Sequence, residues 1–180
     1  MNSKFQQPRV RQQNQSFLVL NNIAKDSNFG FLLRTANAFG AVPIVVGRKR
    51  YSRGGAAAGT SRTPVFHFLT LDEAVDFVKK HDARILGIEI MPQARPVHQQ
   101  PFVGPTAFVV GNEGEGLNDR QKAICDEFVY IPQYGNAVSL NINLATGIVL
   151  HHFALWANYA ESPREGEKFF LPPEEVVKQS

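Results

Sequence analysis

Six apolar runs of strand length punctuate the 180-residue chain: FLVLN (17–21), VPIVVG (42–47), VFHFL (65–69), RILGIEI (84–90), TAFVVG (106–111) and EFVYI (127–131). They read as continuous runs more than as alternation. A strand with one wet face alternates apolar and polar residues, whereas a strand covered on both faces does not, so these runs predict a mostly parallel sheet flanked by helices. The segments between them agree. Thr70 to Glu73 forms a capping box that opens a helix running to about His81, and Asp119 to Cys125 predicts a shorter one. Strand, helix and strand in succession make an α/β fold. A hydrophobic fraction of 43% over 180 residues suits one such domain and excludes wholesale disorder, collagen and coiled coil.

Two further helices carry more information. In the helix expected from about Asn28 to Phe39, closed by Gly40, the residues Phe29, Leu32, Leu33, Ala36 and Phe39 form one apolar stripe for the sheet. Arg34 points the other way, between Phe31 and Ala38, and such a half-apolar second face suits a subunit contact that also presents a guanidinium. The final helix, about Asn141 to Asn158, is apolar around most of its circumference and is expected to be buried on several sides. His151 and His152 on it point about 100° apart and cannot share a metal, and the single Cys125 can form neither an internal disulfide nor a cysteine-based zinc cluster, so no metal site is expected. The expected organisation is a Gln-rich basic arm over 1–16, a domain over 17–158 and a loosely ordered extension over 159–180.

No apolar run approaches the roughly 20 residues that cross a bilayer, and residues 1–16 contain no signal-like apolar segment. With one cysteine, a soluble protein of a reducing compartment is expected: the cytoplasm, or an organelle if the acid-free, Arg-bearing arm is a transit peptide. The formal net charge of +3 conceals a polarity. Residues 1–62 hold ten Lys or Arg against the one acid Asp26, a sum of +9, and the remainder sums to −6. Cations concentrated in this way suit a phosphate-bearing partner. The densest stretch, GRKRYSRGGAAAGTSR (47–62), makes Arg48, Lys49, Arg50, Arg53 and Arg62 candidate RNA contacts, with Tyr51 among them able to stack on a base.

Two loops follow strands at their carboxyl ends, where open parallel sheets bind ligands. GNEGEGLN (111–118) combines glycines, which permit close backbone approach, with Glu113 and Glu115. It lacks the Gly-Lys-Ser/Thr ending of a phosphate loop and suits a cationic or ribose-bearing ligand. IPQYGNAVSLNIN (131–143) brings Ser139, Asn141 and Asn143 to a helix N-terminus; only one can be the cap, which leaves the others available to a ligand.

Three segments, NFGFLLRTANAFG (28–40), FVVGNEGEGL (108–117) and IPQYGNAVSLNINLATGIVL (131–150), together resemble the motifs of the SpoU, or TrmH, family of RNA ribose methyltransferases in the SPOUT class. The resemblance implies a deep trefoil knot with the third motif threaded through a loop, S-adenosylmethionine as cofactor, a homodimer, and methylation of a ribose 2′-hydroxyl in tRNA or rRNA. It implies that Ile88, Gly111, Asn112, Ile131, Gln133, Ser139 and Leu140 line the cofactor pocket, and that Asn28, Arg34, Glu113, Ser139 and Asn141 place substrate and catalyse. Many relatives carry Met where Gln133 stands. Either the basic arm and the Arg48 to Arg62 stretch or a partner protein is expected to replace the amino-terminal RNA-binding domain of larger members. The competing expectations are a catalytically silent RNA-binding dimer and a base methyltransferase of the same fold.

Overall fold

A computed structural model describes residues 14–47 and 64–169. Seven strands form one sheet in the order β3-β2-β1-β6-β4-β7-β5, and every pairing in it is parallel. The strands are β1 (Ser16–Leu20), β2 (Val42–Val46), β3 (Phe66–Phe68), β4 (Arg84–Ile88), β5 (Arg95–Pro96), β6 (Thr106–Val110) and β7 (Glu127–Tyr130). Six coincide with the six apolar runs. The seventh, β5, is two residues long and carries no hydrophobic signal.

Double-sided cover explains why the runs do not alternate. Along β1, Leu18 and Leu20 enter one core with Phe29, Leu32 and Phe153, while Phe17 and Val19 enter a second with Leu71, Ala74 and Val78. Helices α1 (Asp26–Ala38) and α4 (Ile142–Trp156) cover the first face, and α2 (Leu71–Lys79) covers the second. The Thr70 capping box forms as expected, with Glu73 N–H donating to Thr70 Oγ1 and Glu73 Oε2 accepting from Thr70 N–H. The short helix is α3 (Asp119–Ala123), capped by Asn118. Helix α1 ends at Ala38 with Phe39 as its C-cap, and Gly40 beyond it, at φ +72°, lets Ala41 N–H reach back to the carbonyl of Ala36 at 2.9 Å.

Three expectations change. Ser16, placed in the arm, is 1% exposed and begins β1, and Tyr159 packs on the first core while its hydroxyl donates to the carbonyl of Asn14 at 2.8 Å. The ordered body thus reaches past both expected boundaries. The extension contains a hairpin of β8 (Arg164–Glu165) and β9 (Lys168–Phe169), turned at Gly166 with φ +59°. Finally, α4 is covered on one side only. Thr146, Val149, Leu150 and Phe153 are buried, while Leu144 and Leu155 stay 54% and 59% exposed. An apolar circumference reflects every partner a helix meets, and one chain covers only part of it.

Candidate functional site

From β1 the chain moves outward through β2 and β3, then crosses to β4 on the far side of β6. This reversal places the switch point of the sheet beside β1, the position at which open parallel sheets hold ligands at their carboxyl edge. Because β1, β6, β4 and β7 are neighbours, the segments that leave them meet there.

Helix α1 begins without a side-chain cap of its own, since Lys25 at the N-cap makes no such bond. Glu113, from the loop after β6, supplies one. Its carboxylate accepts from the N–H groups of Ala24 and Lys25, each at 3.3 Å, and from Asn28 Nδ2 at 2.8 Å. An anion at a helix N-terminus is favoured by the dipole and by the unpaired donors. Burial works to raise the Glu113 carboxyl, but hydrogen bonds from Asn28, from its own N–H and from Lys25 and Ala24 outweigh it and hold the group below the usual carboxylate range. This side chain is a fixed acceptor rather than a base.

Asn28, 9% exposed, continues the chain of contacts: its Oδ1 accepts from Asn143 Nδ2 at 3.0 Å. Asn141 is the cap of α4, its Oδ1 accepting from Asn143 N–H at 2.9 Å. The choice among three candidate caps thus falls on Asn141, which frees the Asn143 side chain to reach Asn28. One line of amides and a carboxylate ties together the three segments singled out in the sequence.

The glycine loop is closed by a pair of backbone bonds, Asn112 N–H to the Gly116 carbonyl at 2.8 Å and the reverse at 2.9 Å. A Cβ on Gly111 would run into the Gly116 backbone and Leu117 N, and one on Gly116, already at φ +70°, would meet the Glu89 carboxylate. Glu89 accepts from Leu117 N–H at 2.8 Å and Ile90 N–H at 3.0 Å, which fixes the loop to the end of β4. Fully buried Gln121 works from below, donating through Nε2 to the carbonyls of Asn21 at 3.0 Å and Val110 at 3.1 Å. Glu89 and Gln121 are not among the expected site residues, and Asn143 enters the expectation only as one of three groups competing to cap α4. Only Asn143 left a trace in the sequence, as a surplus amide.

Ile88 closes β4, Gly111 follows β6 and Ile131 follows β7, so three adjacent strands bring the expected cofactor residues to one edge. Gln133 Oε1 is buried there with no partner. Leu140 is half-buried, and Ser139 is exposed with no side-chain hydrogen bond among the described residues. Arg34 is not brought to Asn28 and Glu113. Six residues along α1 place it about 240° around the helix from Asn28, on the exposed face with Phe31, and it makes no hydrogen bond or ion pair among the described residues. The RNA candidates Arg48, Lys49, Arg50, Arg53 and Arg62 lie outside the described residues. Along the outer side of α1 and α4 runs a groove of about 500 Å³ lined by Thr35, Phe39, Leu144, Gly147, Ile148 and His151. Burial, with Asp126 alongside, pushes the Cys125 thiol up to about 12, which removes it as a nucleophile. Among the described residues no group of His, Cys, Asp and Glu is arranged to hold a metal, and no helix is long and apolar enough to cross a membrane.

The sequence profile of the SpoU rRNA Methylase family matches residues 15–151. The chain is 31% identical over 148 residues to the 23S rRNA (guanosine-2′-O-)-methyltransferase RlmB of Haemophilus influenzae, a match covering 78% of this chain and 60% of that protein. It is likewise 31% identical over 141 residues to RlmB of Acinetobacter baylyi, covering 74% and 57%. The chain thus spans about three fifths of the length of these curated relatives. Among solved structures, the SpoU methyltransferase AviRb from Streptomyces viridochromogenes in complex with AdoMet superimposes with a TM-score of 0.70 at 25% identity, over 84% of this chain and 64% of that one. The A. aeolicus TrmH/SpoU tRNA modifying enzyme does so with a TM-score of 0.68 at 24% identity, over 82% and 77%, which shows the fold.

Proposed function

Because this chain belongs to the SpoU rRNA Methylase family, we propose that it transfers a methyl group from S-adenosylmethionine to the 2′-hydroxyl of a ribose in rRNA or tRNA. The observation that carries the reading is the line Asn143–Asn28–Glu113, which locks the three motif segments together at the switch point of the sheet. The cofactor fits the residues present: a buried, unpartnered Gln133 oxygen offers an acceptor to an adenine amino group, and the glycine loop is packed too closely for any side chain at Gly111. Ile88, Gly111, Asn112, Ile131, Gln133, Ser139 and Leu140 would hold it. When bound, it supplies a methyl group already activated on a sulfonium, so the protein has mainly to aim and to orient.

Arg34 is the group we assign to the RNA. A guanidinium stays protonated in proteins and acts as a fork for oxygens, not as a base. It grips the phosphate beside the target ribose and steadies charge growing on the 2′ oxygen, while the hydroxyl proton leaves by way of that phosphate to water. Glu113 and Asn28 keep the cofactor loop and α1 in register. Asn141 and Ser139 shape the start of α4. Since Arg34 faces away from Asn28 within one chain, the reading includes a homodimer. Exposed Phe31, Leu144 and Leu155 beside the α1–α4 groove support that assembly. It also includes the family's knot, with the third motif (131–150) threaded through a loop, action in the cytoplasm or in an organelle, and RNA contacts from Arg48, Lys49, Arg50, Arg53 and Arg62.

The test is to incubate the chain with RNA and methyl-labelled S-adenosylmethionine and to digest the product. Label at a linkage resistant to alkali is expected, because a 2′-O-methyl removes the attacking hydroxyl. Label on a base would make the protein a base methyltransferase, and RNA binding without label would make it a silent binding dimer.

A further inference from the structure

The carboxyl edge of the sheet holds a second hollow on the other side of β1. It is a cleft of about 420 Å³ lined by Leu20, Asn21, Asn22, Ile23, Phe29, Val46, Gly47, Asn118 and Arg120. That volume lies within the roughly 300–1,000 Å³ of ordinary ligand sites. Its residues come from the ends of β1 and β2, the start of α1 and, through Asn118 and Arg120, the far end of the loop after β6 and helix α3; none is among the residues assigned to the cofactor. The line Asn28–Glu113 runs close by, because Asn112, next to Glu113, leans its Nδ2 toward the carbonyl of Asn22 at 3.5 Å.

The chemistry of the two sides differs. Over β6 and β4 stand Glu113, Glu115 and Glu89, whereas no acidic side chain lines the cleft. Its floor is apolar, with Phe29, Ile23 and Val46. Its polar wall carries the side-chain amides of Asn21 and Asn22, which make no hydrogen bond among the described residues. An amide presents a donor and an acceptor side by side, the pattern that pairs with the edge of a nucleobase. Arg120 stands at the rim, paired with Asp72 at 2.8 Å. In the sequence, Gly47 passes directly into the basic run that begins at Arg48.

We propose that this cleft takes a nucleobase of single-stranded RNA, with Asn21 and Asn22 reading its edge and Phe29 and Ile23 against its face. The inference deepens the methyltransferase reading by giving the RNA a seat across β1 from the cofactor residues, and it rests on that reading for the class of ligand. A base held there would lie on the opposite side of the Asn28–Glu113 line from the donor, so that the strand must cross the site to reach it.

The probe is a labelled single-stranded oligoribonucleotide of mixed sequence, titrated into the full chain and followed by anisotropy. S-adenosylmethionine affinity is measured in parallel by calorimetry. Asn22 has φ +63°, a conformation open to Asn, Asp and Gly alike, so Asn22→Asp and Asn22→Gly keep the backbone. Asn22→Asp is expected to weaken RNA binding by about tenfold or more and Asn22→Gly by about fivefold, as loss of a base-edge contact does, with cofactor affinity unchanged in both. In the wild-type chain the side-chain amide resonances of Asn21 and Asn22 should shift on adding RNA. Unchanged RNA affinity in both variants, amide resonances that stay still at saturating RNA, or a wild-type chain that does not bind the probe would each overturn the cleft. A wild-type chain that binds RNA through these residues but transfers no methyl group would instead overturn the enzyme reading and leave the cleft standing.

Discussion

The two halves of the sheet's carboxyl edge share strands, direction and burial, yet they are built for opposite charges. Over β6, β4 and β7 the backbone is folded tightly on itself and carboxylates stand around it: Glu89 pins Leu117, and Glu113 caps α1. Over β1 and β2 the surface opens into a cleft with no acid among its lining residues and with two amides that make no side-chain hydrogen bond among the described residues. A parallel sheet by itself distinguishes neither side. The difference lies in the loops, and it suits the proposed reaction, in which a cationic donor and a polyanion approach the edge from different sides.

Gly111→Ala should produce the largest change. The new Cβ has nowhere to go, because the Gly116 backbone and Leu117 N occupy its place. Overpacking of this kind costs about 1–3 kcal/mol or more, and cofactor binding measured by calorimetry should be lost. Gly114→Ala is the control: its nearest neighbour would be Asn112 Oδ1 at 3.7 Å, so that variant should bind as the wild type does. If both variants behave alike, tight packing is not what shapes this half.

Gln121→Leu attacks the joint between the halves. It leaves the buried Val110 carbonyl and the part-buried Asn21 carbonyl without their donor and Asn118 N–H without its acceptor, at about 1–3 kcal/mol for a fully buried group and less for the partly exposed ones. Urea unfolding should show a loss of about 2–4 kcal/mol. Both halves should suffer, with RNA and cofactor affinity falling together, whereas a loss confined to one would show that they are independent. Asn28→Ala comes next. It removes the middle of the Asn143–Asn28–Glu113 line, and small displacements of reacting groups cost about a hundredfold in rate. Single-turnover methyl transfer should fall by that order while the folded fraction, followed by circular dichroism, stays near wild type.

How far each half could be read from the sequence follows from the same contrast. The acid-lined half is contiguous: GNEGEG displays its glycines and carboxylates in six residues, and the six apolar runs place it after a strand. The cleft draws its wall from four separate segments, and its amides look like ordinary turn residues until the fold joins them. Gln121 was invisible for a related reason, since its partners are backbone carbonyls 100 and 11 residues away, which no side-chain pattern encodes. Asn143 was half legible, as one of three amides or hydroxyls competing to cap α4. Helix α4 misled for a different reason: its apolar circumference is real, but one chain leaves Leu144 and Leu155 uncovered.

Glu113 allows the acid-lined half to be tested by pH. Its carboxyl is held below the ordinary value of 4.5 in the folded protein. A depressed folded value means that the group's contribution to stability is complete above the ordinary value and disappears as pH falls through the folded one. Wild type should therefore lose melting temperature on acidification through that window, and Glu113→Gln, which cannot titrate, should lose less over the same range. Equal losses would mean that the helix cap contributes nothing electrostatic.

The smallest effect on stability belongs to the cleft's rim. Arg120 is bonded to Asp72 at 2.8 Å, but the two side chains are 64% and 72% exposed, and exposed pairs contribute about 0–1 kcal/mol. Arg120→Ala should accordingly leave the melting temperature almost unmoved. RNA binding should still respond, because a cation that meets a phosphate releases a counterion on binding. The slope of log affinity against log salt should become shallower by about one, and Asp72→Ala, which frees Arg120 from its partner, should change it the other way. A slope that ignores both substitutions would place the RNA backbone elsewhere on the edge and confine the contrast between the halves to the acid-lined side.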